Sequence, residues 1–154
     1  MTPAAELDSI LCRLCLWREA RSESLAAKAA VLAVIRNRAN DPKNRWPKTL
    51  AGVVTQKSQF SSFNANDPGV TAWPKAPMVI SGIPVKNPDW QAWLDSCAVW
   101  DAPLAADPTN GANFYHDSSI PPPAVAWLGV GHTVADLEAL KTCEIGKLAF
   151  YRIP

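Results

Sequence analysis

Residues 17–23 read Trp17-Arg18-Glu19-Ala20-Arg21-Ser22-Glu23. Apolar residues recur at helical spacing before this segment, and Thr2-Pro3 supplies a cap and a first helical residue, so we predict a helix that reaches it. If the helix includes the segment, Glu19 and Glu23 share one face, with Cβ atoms about 5–6 Å apart. A helix end beside Trp17 can shield one glutamate partly from water, which suits a carboxyl group that donates protons. The alternative is an exposed helix end at which arginines balance the two glutamates.

The rest of the chain predicts further helices and a small β element. Ser22 or Ser24 can cap a second helix that ends before Asp41-Pro42, and Asn87-Pro88 begins a third. We expect a short helical turn over 49–54, a strand or hairpin arm over 56–63, short strands over 112–116 and 147–152, and a last helix over 133–141. Residues 64–88 are rich in Pro, Asn, Asp and Gly and predict a long surface loop, which is more often functional than accidental. Helices predominate, so the sequence predicts one α+β domain over residues 1–154.

Two sets of side chains are expected in the core. The third helix has a face with nearly ideal spacing for burial, formed by Trp90, Trp93, Leu94, Cys97 and Trp100. The cysteines are interpreted as reduced thiols in the interior, with a disulfide or a metal site as alternatives, and they are Cys12, Cys15, Cys97 and Cys143.

Composition excludes several classes of protein. Hydrophobic residues make up 48% of the chain and charged residues 19%, which is typical of a soluble globular protein. No apolar run approaches the roughly 20 residues of a spanning helix, and the N-terminus lacks a secretory signal pattern. We therefore expect no membrane segment. We also expect that the protein either acts where it is made or is released by a route other than a signal peptide. The basic first 60 residues would suit an anionic polymer or an ordinary solvated surface, and without a recognition motif we expect no nucleic-acid partner.

Two polar segments carry candidate binding residues. Alternating polar side chains over Gln56–Ser61 would share one strand face, where amides and hydroxyls can bind sugar hydroxyls and N-acetyl groups; a polar edge strand is the alternative. The segment Asp107–His116 runs from a turn into a predicted strand that ends at Tyr115-His116. A single histidine at a strand end is more often structural than catalytic.

Several short sequence segments, spread over nearly the whole chain, together carry a resemblance to a known family. They are, in order, Arg18-Glu19-Ala20-Arg21-Ser22-Glu23, Lys28-Ala29-Ala30-Val31, Ile35-Arg36-Asn37-Arg38, Gly52-Val53-Val54, Gln59-Phe60-Ser61, Asp107-Pro108-Thr109, Gly111-Ala112, Tyr115-His116, Ile145-Gly146 and Phe150-Tyr151-Arg152. In this order the segments resemble the bacterial cell wall hydrolase family typified by the spore cortex-lytic enzymes (SleB-like), and especially its short phage-encoded members. The chain departs from the usual pattern at Arg18, Ser22 and Asn110, where glycines are common, and at Leu148, where histidine is frequent.

The resemblance implies a lysozyme-like fold and a peptidoglycan-cleaving activity. It implies that Glu19 is the catalytic acid and that Glu23 has a structural or positioning role, or supplies a second carboxylate. The cleft would then be lined or supported by Gln59, Phe60, Ser61, Tyr115 and His116. We expect peptidoglycan glycan strands as the partner, a monomer, and no cofactor. The absence of a signal pattern suits a phage endolysin that stays in the cytoplasm until a holin opens the membrane.

Two reactions fit a single acidic glutamate. A lytic transglycosylase uses the same group as acid and then as base, and closes a 1,6-anhydro ring on N-acetylmuramic acid. A lysozyme-type muramidase needs a water or nucleophile supported by a second carboxylate. The candidates for that group are Glu23, Asp67, Asp107 and Asp117. Because the cortex-lytic relatives imply one essential glutamate, we favour the transglycosylase.

Two more distant hypotheses remain open. A metal-dependent amidase would use His116, His132, Asp117 and a cysteine, but the two histidines lack a metal-binding spacing. A non-catalytic glycan-binding module would keep its function when Glu19 is replaced by glutamine.

Overall fold

The computed structural model describes residues 2–77, 79–80, 83–84, 86–103 and 106–154. Helices predominate over short strands, which confirms the predicted α+β class. The elements in these ranges are α1 Pro3–Glu19, α2 Leu25–Ala39, α3 Leu50–Thr55, a 3-10 turn Ser61–Phe63, β1 Val79–Ile80, β2 Ile83–Pro84, α4 Pro88–Asp101, β3 Phe114–Asp117, α5 Ala124–Leu128, α6 Val134–Glu138, β4 Lys141–Ile145 and β5 Leu148–Tyr151.

The four longer helical segments begin at polar cap residues. Thr2, Ser24, Thr49 and Asn87 each accept a hydrogen bond from a backbone N–H of the first turn. These side chains satisfy donors that have no partner inside the helix, so they fix where each helix starts. Of the two serines that could begin the second helix, Ser24 is the cap.

Helix α2 is the centre of the main core. It is buried on almost all sides, and α1, α3 and α4 pack against it. Lys28 is fully buried on this helix, and its Nζ donates to the backbone oxygens of Glu23 at 2.6 Å and Arg21 at 3.3 Å. Burial lowers the pKa of Lys28. The ammonium group therefore holds the turn that joins α1 to α2.

The three-stranded antiparallel sheet has the order β3-β5-β4 and separates two cores. Tyr115 pairs with Phe150, and both side chains face α2 and the main core. The next residue, His116, points to the opposite face because side chains alternate along a strand. There it meets Tyr151 and Trp127, which belong to a smaller core with α5 and α6.

Three expectations about secondary structure were wrong. Residues 56–63 do not form a strand: Ser58 has a φ of 65°, which breaks an extended backbone, and a 3-10 turn follows. The last helix is shorter than 133–141, because Thr133 and Asp136 form a capping box and strand β4 already begins at Lys141. The segment 64–88 is not loop throughout, because strands β1 and β2 pair within it. Strand β4 and helix α5 were also not predicted.

The prediction of which face of α4 is buried was also wrong. The residues buried on this helix are Ala92 and Ser96, whereas the three tryptophans are half-buried and Leu94 is exposed. Small side chains let α4 approach α1 closely, so that Leu14 and Trp17 of α1 pack on Ala92. The tryptophans then lie on the flanks of this contact.

The cysteines are free thiols, as predicted. Cys12 and Cys15 are fully buried in the main core, and burial raises the pKa of Cys12 to about 12. Both therefore act as apolar core residues. Cys97 and Cys143 are only half-buried. Within the ranges described, no helix combines the length and the apolarity that crossing a bilayer would require.

Candidate active site

Glu19 is the last residue of α1. The preceding turn is anchored in the core by Leu16 and Trp17, and Ala20 ends the helix with φ −127° and ψ 34°. Glu19 is therefore rigidly placed at a helix end and remains partly exposed. Because the helix stops here, Glu23 lies in the following turn, and the expectation that the two glutamates share a helix face was wrong.

Ser62 fixes one oxygen of the Glu19 carboxylate. Its backbone N–H donates to Oε1 at 3.0 Å, and its hydroxyl donates to the same oxygen. Ser62 is buried in the 3-10 turn, 43 positions along the chain from Glu19. No described residue donates to the other oxygen, Oε2. Oε1 is thus held by two hydrogen bonds, and Oε2 remains free to exchange a proton with another molecule.

Sequence reasoning missed Ser62. The segment that matched the family pattern ended at Ser61, and a strand interpretation would have directed residues 61 and 62 to opposite faces. A 3-10 turn instead presents both the N–H and the hydroxyl of Ser62 to one acceptor. The available signal was the second serine of Ser61-Ser62, which is weak without the turn geometry.

Arg18 holds the other side of this turn. Its guanidinium donates to the backbone oxygen of Ser62 at 3.2 Å and to those of Val70 and Ala72 at 2.8 Å each. It also lies over the ring of Phe63, 4.8 Å from the centroid. Burial lowers the pKa of Arg18, while nearby acidic groups favour its charged form. Arg18 and Glu19 therefore bind Ser62 from opposite sides. Arg18 stands at a position where glycine is common in the family that the sequence resembles.

Tyr115 and Phe60 pack together in the core next to α1. Their rings are 6.5 Å apart, and Tyr115 also packs on Phe150 at 5.9 Å. Burial raises the pKa of Tyr115, and the negative charge of Glu19 acts in the same direction, so the phenol stays protonated. Tyr115 is thus close enough to Glu19 to feel its charge. Phe60 is only 2% exposed and contacts Tyr115 from the core.

Gln59 and Ser61 flank Phe60 in the chain. Gln59 is half-buried, and its Oε1 accepts a hydrogen bond from Nε1 of Trp46 at 3.2 Å. This contact orients the amide and leaves its nitrogen available. Ser61 is exposed at the start of the 3-10 turn.

Arg38 is a buried cation under the site that sequence reasoning did not single out. It is 4% exposed, and its Nε donates to the backbone oxygen of Asn113 at 2.7 Å. The guanidinium lies 5.0 Å from the ring centroid of Phe114 and 5.3 Å from that of Phe60. Burial lowers its pKa to about 10, so it remains charged at neutral pH. Its charge also favours the ionised form of Tyr115, against the effect of burial.

His116 lies on the far face of the sheet. Its Nε2 is 3.0 Å from the hydroxyl of Tyr151, and the two rings stack with centroids 5.4 Å apart. Tyr151 donates to Glu138 at 2.7 Å, and Glu138 pairs with Lys141 at 2.7 Å. This network ties β5 to α6. The structure therefore does not bring His116 together with Glu19.

Two of the four candidate second carboxylates, Asp107 and Asp117, accept hydrogen bonds from the loops in which they lie. Asp107 accepts hydrogen bonds from the backbone of Thr109 and Gly111 and from Asn37. Burial acts to raise the pKa of Asp107, but these hydrogen bonds lower it below its ordinary value. Hydrogen bonds from the side chain and the backbone of Ser119 lower the pKa of Asp117, and the backbone N–H of Ser119 lies 2.8 Å from its carboxylate.

The other two candidates lie closer to α1. Glu23 accepts from the backbone N–H of Lys147 at 3.4 Å, and a Cβ on Gly146 would come within 2.9 Å of its Oε2. Glu23 thus joins the α1–α2 turn to the β4–β5 turn. Asp67 accepts from the backbone N–H of Gly69 at 2.6 Å and lies close enough to Arg18 to favour its charged form. None of the four shares a hydrogen-bond partner with Glu19.

Two departures from the family pattern have a structural reason. Asn110 has a φ of 54°, in the left-handed region that glycine favours and asparagine tolerates. Leu148 is 7% exposed and belongs to the main core, so an apolar side chain fits this position. Neither departure involves a contact with Glu19.

The fold is shared with a catalytic domain of known structure. The crystal structure of the catalytic domain of the SleB protein from Bacillus cereus matches with a TM-score of 0.56 at 22% identity, and the match covers 96% of this chain and 91% of that one. At this identity the likeness shows the lysozyme-like α+β fold. No curated protein sequence matches the chain.

A family comparison is more specific. The model of the cell wall hydrolase family matches residues 22–151. This chain belongs to the cell wall hydrolase family, and it is therefore a peptidoglycan-degrading enzyme. The match begins three residues after Glu19, so the role of Glu19 depends on the geometry described above.

Proposed function

We propose that the protein cleaves the glycan strand of peptidoglycan as a lytic transglycosylase, with Glu19 as general acid and then general base. The observation that carries the proposal is the asymmetry of the Glu19 carboxylate. Ser62 engages Oε1 with two donors, whereas no described residue donates to Oε2. A carboxyl group held in this way can carry its proton on Oε2 and present it to a substrate oxygen.

In the first step Glu19 gives its proton to the oxygen between N-acetylmuramic acid and N-acetylglucosamine. The bond from that oxygen to C1 of the muramic residue breaks, through a transition state with oxocarbenium character. In the second step the C6 hydroxyl oxygen of the same residue bonds to C1, and its proton returns to Oε2. Glu19 is thereby restored, and no water is consumed.

The other candidate carboxylates are already engaged, which supports this route over hydrolysis. Glu23, Asp67, Asp107 and Asp117 each accept a hydrogen bond from a backbone N–H of their own turn or of a neighbouring one. The alternative is a lysozyme-type muramidase in which water attacks C1. Asp67 is the second carboxylate that geometry favours for it, because Asp67 lies near Arg18, the residue before Glu19.

The metal-dependent amidase gains no support from the arrangement of ligands. Among the described residues, His, Cys, Asp and Glu side chains do not form a group of three or more that could hold a metal ion. His116 stacks on Tyr151, and His132 is exposed near Asp136.

Product analysis tests the proposal. Purified sacculi are digested with wild type and with Glu19→Gln, and the soluble fragments are identified by mass spectrometry without prior reduction. We expect wild type to release fragments that end in 1,6-anhydro-muramic acid and Glu19→Gln to release none. Reducing ends, one water heavier, would instead establish the muramidase, and Asp67→Asn would then be expected to abolish them. Undiminished cleavage by Glu19→Gln would refute the role of Glu19.

The biological role proposed here is that of a phage-type endolysin that is retained in the cytoplasm until a holin opens the membrane. It rests on the resemblance of the motifs to short phage-encoded members of the family. Expression in a bacterial host with and without an inducible holin tests it. We expect lysis only when both proteins are present, and lysis or export without the holin would contradict this role.

A further inference from the structure

A cavity of about 550 Å³ lies beside the end of α1, and the reaction proposed at Glu19 assigns it no role. It is bounded by α1, by the segment around residues 71–75 and by the start of α4. Its volume is within the roughly 300–1,000 Å³ that is usual for ligand sites. The aromatic and charged side chains around it are Trp17, Arg21, Trp73, Lys75 and Asp89.

One wall of the cavity is rigid and the other is an open aromatic surface. Trp17 is buried, and its indole N–H donates to the backbone oxygen of Asp89 at 3.0 Å. Arg21 covers this ring, with its guanidinium carbon 4.2 Å from the centroid. Trp73 is 57% exposed. An exposed indole beside a cavity offers a large flat surface for a ligand, because its burial on binding is favourable.

The cavity carries an excess of positive charge. Arg21 makes only a loose pair with Asp89, at 3.5 Å, and both side chains are about half exposed. Lys75 takes part in no ion pair among the described residues. Two cations and one carboxylate thus favour a ligand with a carboxylate group.

The cavity lies next to the segment that positions Glu19. Arg18, the residue before Glu19, donates to the backbone oxygen of Ala72, which lines the cavity and precedes Trp73. Trp17, two residues before Glu19, also lines the cavity. The cavity and Glu19 therefore share the end of α1 and the segment that Arg18 holds.

We propose that the cavity binds the stem peptide of a muramoyl residue. A carboxylate of the peptide would bind Lys75 and Arg21, and an apolar or sugar face next to it would lie against Trp73. The proposal rests on the proposed function at Glu19 and adds a preference for peptide-bearing strands over bare strands. A strand stripped of peptide keeps one carboxylate on the lactyl group of each muramic residue, so the carboxylate meant here is one farther along the peptide, which only a peptide-bearing strand offers.

The first test compares two substrates. Soluble glycan strands that carry stem peptides and the same strands stripped of peptide are digested by wild type, Trp73→Ala, Lys75→Gln and the matched control Lys43→Gln, which removes an exposed lysine elsewhere. We expect Lys75→Gln to lower kcat/KM on peptide-bearing strands by roughly tenfold, the effect of losing one charge-assisted hydrogen bond. Its rate on bare strands should stay within about twofold of wild type, as should both rates of Lys43→Gln. Equal losses on both substrates, or no loss on either, would overturn the proposal.

A binding measurement separates this proposal from the proposed function. Glu19→Gln, with or without Lys75→Gln, is titrated calorimetrically with a disaccharide-peptide and with the same disaccharide lacking the peptide. We expect Lys75→Gln to weaken only the peptide-bearing ligand, again by roughly tenfold. If wild type cleaves neither strand while this difference in Kd is present, the proposed function fails and the cavity proposal stands. If wild type cleaves both strands and the difference is absent, the reverse holds.

Discussion

Ser62→Ala is the substitution that most directly tests how the Glu19 carboxylate is held. The variant loses the hydroxyl donor to Oε1 and keeps the backbone N–H at 3.0 Å. A hydrogen bond to a charged group contributes about 1.5–3 kcal/mol, and the lower value applies because Glu19 is partly exposed and water can replace the hydroxyl. About 1.5 kcal/mol corresponds to a loss of roughly tenfold in kcat/KM.

The assay is turbidimetric or chromatographic release of fragments from purified sacculi. Ser96→Ala is the matched control, because Ser96 is also a buried serine that loses one hydrogen bond, to the backbone oxygen of Ala92 at 2.8 Å. We expect Ser96→Ala to retain activity within about twofold and Ser62→Thr, which keeps the hydroxyl, to recover part of the loss. Wild-type activity in Ser62→Ala, with Glu19→Gln inactive, would refute the reasoning.

Three further predictions concern stability. Arg18→Met leaves three backbone oxygens without their donor, so we expect urea denaturation to show a loss of about 1–3 kcal/mol, and an unchanged midpoint would contradict the described contacts. Hydrogen bonds from Arg45 lower the pKa of Asp41 from 3.8 to about 2, so their contribution is present above pH 4 and lost as the pH falls through 2. Asp41→Asn should lose about 1–2 kcal/mol at neutral pH and flatten the dependence of stability on pH between 4 and 2; an unchanged acid limb would count against the pair. Gly146→Ala places a Cβ 2.9 Å from Oε2 of Glu23 at a φ of 63°, so thermal unfolding should show a loss of about 1–2 kcal/mol, which Glu23→Ala should partly restore if the contact is the cause.

The starts of the helices could be predicted from the sequence because caps act locally. Thr2, Ser24, Thr49 and Asn87 bond to N–H groups two or three positions ahead in the chain. Such contacts depend on neighbouring residues, and the chain order alone displays them. Periodicity could not decide which face of α4 is buried, because that depends on how closely α1 approaches and therefore on the small side chains of Ala92 and Ser96.

The candidate site also contains residues that the sequence could predict and residues that it could not. Glu19 was found because its helix and its motif are contiguous in the sequence. Ser62 was not, because its contact with Glu19 spans 43 residues and depends on a 3-10 turn that replaced a predicted strand. The location of His116 on the far face of the sheet follows from the register between β3 and β5, which fixes which residue of Tyr115-His116 faces Glu19.

The sequence by itself determined the α+β class and the helix starts set by caps, since both follow from local pattern and short-range hydrogen bonding, and the resemblance of its motifs to the family singled out Glu19. The tertiary structure decided which oxygen of Glu19 is held, why Arg18 can replace a glycine, and where the positively charged cavity lies beside the site. These features depend on side chains that meet across the folded chain, and their distances follow from packing, which no local pattern encodes.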